Sequence, residues 1–329
     1  IFTKPMPGFQ EVIISIIDKK NIVKPINISQ ASISLMKFEP ALKLLIKKHF
    51  EGELNQSYGE LISKLSEVPL LYKLMSTCPI PDLELEAVFQ GIRSTLLSAN
   101  NGIKNSSKIL YFQSALALQC FTNEYIYNKN NKELLLLKEL EDEVEEILLN
   151  GKQPSPQSIF CLASYKPLHQ YKWCDLLTLT PTIEEVVTRQ VIEPKYEIQL
   201  KSNIKVLEEI THTVSSKVRG QYEESPYPRW INTGLSFDPS SLLIQTKMLK
   251  LRLFDKAIIK VESPNILIAG CGTGQHIAMI ANKYLNANII GVDLSLASLA
   301  YAKRKVEELN LKNVEFLHAD ILQLKNLER

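Results

Sequence analysis

At 329 residues the chain is long enough for two domains, and its 45% of apolar residues is the share found in ordinary globular proteins with a sizeable core. A formal charge of +2, from 38 basic against 36 acidic side chains, creates no general field for nucleic acid or an anionic membrane, though it leaves a nucleic-acid substrate open. Five cysteines (Cys78, Cys120, Cys161, Cys174, Cys271) lack paired metal spacing and do not cluster with the five histidines; no metal site is expected, and reduced thiols in a cytoplasm fit. Apolar runs such as 134–137 are cut by charges and no signal-peptide pattern opens the chain, so a soluble, cytoplasmic protein without membrane contact is expected.

Residues from about Phe9 to Leu149 read as consecutive helices with short breaks. Phe9, Val12, Ile13, Ile16 and Ile17 fall on one helical face, and Pro40 opens a helix in which Ala41, Leu44 and Leu45 repeat at the same spacing. Further helices are expected over 58–65, over 70–75, and from the N-cap Asp82 to about Ser98. The stretch 109–127, rich in Ala, Leu and aromatic residues, reads as a helix buried among its neighbours. Within it Gln119, Cys120 and Asn123 could line a pocket, but polar groups that satisfy a core are the plainer reading. An acidic-sided helix over 132–149 stops at Gly151 and Pro154. Two short helices follow over 155–177, then a helix over 184–190. After Pro194 a helical segment extends to about Val218, with Ile204, Leu207, Ile210 and Val214 as its buried edge.

From 219 to 262 prolines and aromatics become denser, which marks a linker. In it lies Gln221-Tyr222-Glu223-Glu224-Ser225-Pro226-Tyr227-Pro228-Arg229-Trp230, where two prolines restrict the backbone and hold the aromatics in defined directions. The segment reads equally as a lid carrying Tyr222 and Tyr227 or as an interdomain strap. Lys247, Lys250, Arg252 and Lys256 alternate with apolar residues in an expected solvated amphipathic element rather than an RNA-binding face.

The chain is organised around Ile266-Leu267-Ile268-Ala269-Gly270-Cys271-Gly272-Thr273-Gly274-Gln275-His276. A short apolar run meets a glycine loop, after which Ile277, Ile280, Ala281 and Tyr284 recur at helical spacing. The spacing predicts a buried strand over 265–269 and a helix over 275–285. A second strand over 288–293 ends in Asp293, 19 positions after Gly274, where a doubly wound fold puts the carboxylate that accepts a cofactor's ribose hydroxyls. A helix over 296–309 and a strand over 313–317 follow. Glycines let the backbone approach a ligand, the helix after them offers unpaired N–H groups, and a carboxylate can accept two hydroxyls at once. The plainer alternatives are close strand-helix packing for the glycines and helix capping beside Ser295 for Asp293.

A dinucleotide loop, G-x-G-x-x-G, would need glycine at 275, where the chain has Gln275. The spacing Gly270-Cys271-Gly272-Thr273-Gly274 instead resembles the nucleotide loop of class I S-adenosylmethionine-dependent methyltransferases. Val314-Glu315-Phe316-Leu317-His318-Ala319-Asp320-Ile321 resembles the third strand and following turn of that family. With its helices and Tyr- and Pro-rich segment, the chain is similar to bacterial proteins that join a helical or tetratricopeptide-repeat region to such a domain. The resemblance implies S-adenosylmethionine as cofactor, held by Gly270, Cys271, Gly272, Thr273, Gly274, Asp293, Leu294, Asp320 and Ile321. In it Asp320 would meet the adenine amino group and Ile321 would pack on the ring. Many members carry an acidic residue two places before the first glycine; this chain has Ile268 there, so backbone carbonyls near Ala269 and Gly270 are expected to replace it. His276 reads equally as a cofactor contact or a solvated side chain.

The expected class is α + α/β: an all-helical region over 1–218, a linker or lid over 219–262, and the first half of a Rossmann-like parallel sheet over 263–329. That family uses seven strands, so a chain running from Ile1 to Arg329 is expected to be a piece of a longer protein, inactive alone and with one sheet edge exposed. The implied activity is methyl transfer to an unidentified acceptor, a protein or small molecule before a nucleic acid, with no catalytic residue identifiable. The alternatives are a helical protein-interaction module with a residual nucleotide domain and an NAD(P)-dependent oxidoreductase.

Overall fold

The computed structural model describes residues 2–6, 8–52, 58–99, 106–207, 215, 219–220, 222–223, 226–235 and 238–326. It divides into two compact units, Ile1–Pro194 and Lys195–Arg329.

The first unit is helical: α1 (Phe9–Asp18), α2 (Pro25–Met36), α3 (Pro40–Phe50), α4 (Tyr58–Leu65), α5 (Pro69–Thr77), α6 (Leu83–Ser98), α7 (Ser107–Thr122), α8 (Asn131–Leu149) and α9 (Pro156–Ala163). Proline opens α2, α3, α5 and α9, where its fixed φ suits the first turn and its missing N–H costs nothing. Side-chain caps start α6, α7 and α8: Asp82 accepts from Leu85 N–H (3.0 Å), Ser106 from Ile109 N–H (3.3 Å), and Asn130 and Glu133 form a reciprocal capping box. α7 is buried along most of its length and packs on α4, α5 and α9. Gln119 belongs to this core. With its amide nitrogen toward the Cys78 and Met75 carbonyls and its oxygen toward Ile80 N–H, every contact is 3.1 Å. After α10 (Glu184–Val187), the π-helical turn Thr188–Ile192 aims Gln190 inward, where its amide nitrogen donates to the Ala117 and Ala163 carbonyls at 3.1 Å.

Residues 205–206, expected inside a helix running to Val218, form a strand instead. α11 (Glu193–Lys201) ends early because Ser202 Oγ turns back to the Gln199 carbonyl (2.8 Å) and Asn203 N–H to that of Leu200 (3.0 Å). β1 (Lys205–Val206) then pairs in parallel with a strand near the end of the chain. Ile210 and Val214 of that expectation lie outside the described residues.

The second unit is built on a four-stranded parallel sheet in the order β1-β4-β3-β2, with β2 (Asn265–Ala269), β3 (Asn288–Asp293) and β4 (Val314–His318). These three match the expected strands; β1 is the addition, and it covers the β4 edge, with Lys205 opposite Leu317 and Val206 opposite His318. α13 (Gln275–Lys283) and α14 (Leu296–Glu308) supply Ile277, Leu299 and Ala302 to an apolar layer with Ile268, Ile289 and Phe316. Gly291 on β3 leaves room for that layer: a Cβ there would lie 2.1 Å from Ile277 Cδ1, so that side chain would have to shift, and 3.2 Å from Cys271 Sγ. On the other face Val292, Leu317 and Ala319 cluster with Leu207, Ile290 and Leu324. Between β1 and β2, α12 (Leu242–Met248) and a 3-10 turn at Lys256–Lys260 carry basic and apolar residues of the amphipathic stretch, and Met248, Leu249 and Leu251 are exposed.

Candidate functional site

Parallel strands leave their C-terminal ends open between connecting loops, and a doubly wound sheet binds ligands there. At those ends of β2 and β3 lies a cavity of about 330 Å³, lined by Tyr222, Tyr227, Gly270, Gly272, Asp293, Leu294, Ser298 and Ile321. Hollows of 320 and 360 Å³ occur elsewhere, so volume does not single this one out; its chemistry does.

The floor is the glycine loop. Gly270 and Cys271 N–H both donate to the Val292 carbonyl (2.8 and 3.0 Å), folding the chain back onto β3. Gly270, Gly272 and Gly274 all have positive φ (71°, 52° and 79°), a conformation in which other residues are strained. Gly274 also abuts α14, since a Cβ on it would lie 2.5 Å from Ala302 Cβ. The loop therefore serves both readings of its glycines: Gly270 and Gly272 present bare backbone to the cavity, and Gly274 permits close packing.

Asp293, the last residue of β3, bridges the loop and the next helix. Its Oδ2 accepts from Gly272 N–H (2.8 Å) and its Oδ1 from Ser295 N–H (3.0 Å), while Ser295 Oγ caps α14 through Ser298 N–H (3.1 Å). A carboxylate has about four acceptor directions, so it keeps capacity for ligand hydroxyls. Leu294 and Ile321 supply apolar walls. His318, buried at the end of β4, fixes the Leu294 backbone through Nε2 and the Leu294 carbonyl (2.8 Å); because a carbonyl only accepts, Nε2 carries the proton.

The other expected site residues lie behind the cavity. Cys271 packs in the apolar layer, where burial and then the Asp293 charge push its thiol pKa up. Thr273 is buried, its Oγ1 donating to the Pro228 carbonyl (2.9 Å) and its own carbonyl accepting from Trp230 Nε1 (2.8 Å). Asp320, 1% exposed, accepts from Leu322 N–H through Oδ1 (2.9 Å) and so shapes the turn that carries Ile321. Ile268 sits in the apolar layer, and His276 is exposed and does not line the cavity. Ser298, which sequence reasoning missed, lines the cavity from the first turn of α14; its only signal was a serine soon after Asp293. Tyr222 and Tyr227, 45% and 53% exposed, form the rim.

Two apolar flanks, bare backbone and a carboxylate with free lone pairs suit a nucleoside with a ribose diol, and the volume is that of a small-molecule site. Among the described residues no group of three His, Cys, Asp or Glu could hold a metal ion, and no helix is long and apolar enough to cross a membrane.

Comparison with known proteins bears on the same stretch. Residues 266–329 match the family described as "Methyltransferase domain". A tRNA (guanine-N(7)-)-methyltransferase of Rubrobacter xylanophilus is 46% identical over 68 residues, 21% of this chain and 30% of that protein. A malonyl-[acyl-carrier protein] O-methyltransferase of Paenibacillus is 34% identical over 62 residues, 19% of this chain and 22% of that protein. An (S)-coclaurine N-methyltransferase of Papaver somniferum is 33% identical over 99 residues, 30% of this chain and 28% of that protein. The chain thus spans less than a third of the length of these relatives. No solved structure matches. The stretch that aligns contains β2, the glycine loop, β3 and β4, so the second unit carries methyltransferase-domain sequence on an α/β sheet of the class I methyltransferase type.

Proposed function

We propose that the cavity at the ends of β2 and β3 binds S-adenosylmethionine and that the protein of which it is part transfers the methyl group to an acceptor. The observation that carries this reading is Asp293 at the end of β3, facing the same cavity as the bare backbone of Gly270 and Gly272. Asp293 would accept the ribose hydroxyls, Leu294 and Ile321 would flank the adenine, and Tyr222 and Tyr227 would close the mouth as a lid. Cys271, Thr273, Gly274 and Asp320 would act from behind by holding the loop and the turn.

The cofactor, when bound, supplies an already activated methyl group, so what the protein contributes is orientation and exclusion of water. The three relatives differ in their named acceptors, and the stretch that matches the methyltransferase family, 266–329, contains the glycine loop and Asp293; this supports a reading of the donor and none of the acceptor. A net charge of +2 favours a protein or small molecule over nucleic acid as acceptor, and five buried free thiols suit a cytoplasm. The helical first unit is assigned to partner or substrate recognition in the manner of helical-repeat methyltransferases, with 219–262 as the lid-bearing segment before 263–329.

Calorimetry on the 329-residue chain tests the donor assignment. Binding of S-adenosylmethionine or S-adenosylhomocysteine with no heat from NAD or NADP is the expected result. Binding of a nicotinamide alone would sink it, as the glycine spacing with Gln275 in the fourth place already argues against that cofactor.

A further inference from the structure

The arm that precedes β2 is tied down on both sides of Tyr227. On the Trp230 side the ties run to the glycine loop and α14: Thr273 and the Pro228 carbonyl, Trp230 Nε1 and the Thr273 carbonyl, and the Tyr301 hydroxyl donating to the Trp230 carbonyl (2.7 Å). On the Tyr222 side they run to the start of α14. Leu296 N–H and Ala297 N–H (3.4 Å) donate to Glu223 Oε1, and Ser295 Oγ donates to the Tyr222 carbonyl (3.1 Å). Glu223 Oε2 accepts from Lys201 Nζ (3.1 Å).

A carboxylate at a helix's first turn satisfies orphan N–H groups and opposes the macrodipole. Yet Ser295 already caps this helix, so α14 does not depend on Glu223 to begin. What Glu223 adds is attachment. Its neighbour Tyr222 lines the cavity beside Asp293 and Leu294, the two residues that lead into α14. The Lys201 pair contributes little by itself, because both side chains are about a third exposed and screened by water. The hydrogen bonds from the helix to an ionised oxygen are the stronger part.

We propose that Glu223 is a positioning residue for the methyl donor: gripping the first turn of α14, its carboxylate holds Tyr222 in place as a wall of the donor cavity. This rests on the donor reading of that cavity. Glu223 touches no ligand in this scheme and acts only through Tyr222, which makes a specific demand on a double-mutant cycle.

The measurement is calorimetric titration of the 329-residue chain with S-adenosylmethionine and S-adenosylhomocysteine. Glu223→Ala and Tyr222→Ala are each expected to weaken binding about tenfold, and the double variant no further than the weaker single one. Glu223→Gln keeps an oxygen acceptor for α14 and is expected to recover most of the loss. A Glu223 that only stabilises the fold would lower the melting temperature with affinity unchanged, or would add its full effect to that of Tyr222→Ala; either result overturns the proposal. Should Glu223→Ala not fold, Glu223→Asp, one methylene too short to reach α14, takes its place in the cycle with the same expectation. Unaltered affinity in the Glu223 variants while the parent chain binds defeats the latch alone, whereas no binding by the parent chain defeats the donor reading as well.

Discussion

Asp293 is shared between the glycine loop and α14, so its part in folding is coupled to the binding role proposed for it. Asp293→Ala removes the acceptors for a ribose diol, each charge-assisted bond being worth about 1.5–3 kcal/mol, so donor affinity should fall on the order of a hundredfold. It also orphans Gly272 N–H, so the melting temperature without donor should drop by a few degrees, roughly what a 1 kcal/mol loss produces. Titration and thermal unfolding of the same preparation decide the balance. A large fall in melting temperature with intact affinity would reduce Asp293 to a cap. The position of Asp293 was legible because a strand period and a fixed offset from the glycines locate it. Glu223 was not, since its partners Leu296 and Ala297 lie more than seventy residues away and no local pattern connects them.

At the scale of single elements, the contact between the glycine loop and α14 is the tightest test of the fold. A methyl group on Gly274 would meet the Cβ of Ala302, which cannot swing aside, and would have to adopt a positive φ besides. Gly274→Ala is therefore expected to destabilise the second unit by about 2–4 kcal/mol, combining overpacking with backbone strain. Adding Ala302→Gly should return most of the steric part, less about 1 kcal/mol for a glycine inside α14, and leave the strain, a partial recovery visible in denaturant titration. Full recovery would mean that the positive φ is not needed. Strong periodicity made β2, β3, β4, α13 and α14 readable to within a few residues. The unread elements have physical explanations. α2, absent from the sequence reading, contains Ser29, Ser32 and Ser34, each donating to a carbonyl three or four residues earlier, so hydroxyls sit where a hydrophobic face would be sought. β1 has two residues, too few for any period, and exists because β4 offers it a partner.

Across the whole chain the five cysteines are free and buried in both units. Burial pushes the Cys78, Cys120 and Cys161 thiols up to about 12, and raises Cys271 with help from Asp293. A raised thiol pKa means less thiolate: at pH 8 on the order of one part in ten thousand of such a group is reactive. The native protein is expected to show no rapidly reacting thiol with a disulfide reagent at pH 8, and five in denaturant. A single fast thiol that S-adenosylhomocysteine protects would point to Cys271 opening toward the cavity and would revise its placement in the apolar layer. The two-unit plan with helices first and sheet second was readable from hydrophobic periods. The division after Pro194 was not, because α11 crosses it without a break in composition.

β1 also fixes an order of events during synthesis. Its partner residues Leu317 and His318 follow it by more than a hundred positions, and β2 and β3 must be laid down between them. At typical elongation rates the ribosome needs roughly ten seconds to make that stretch. Throughout this interval the helical unit can be complete, while Lys205 and Val206 have no strand to pair with. β4 is therefore the strand whose arrival joins β3 to β1, pairing along both of its edges.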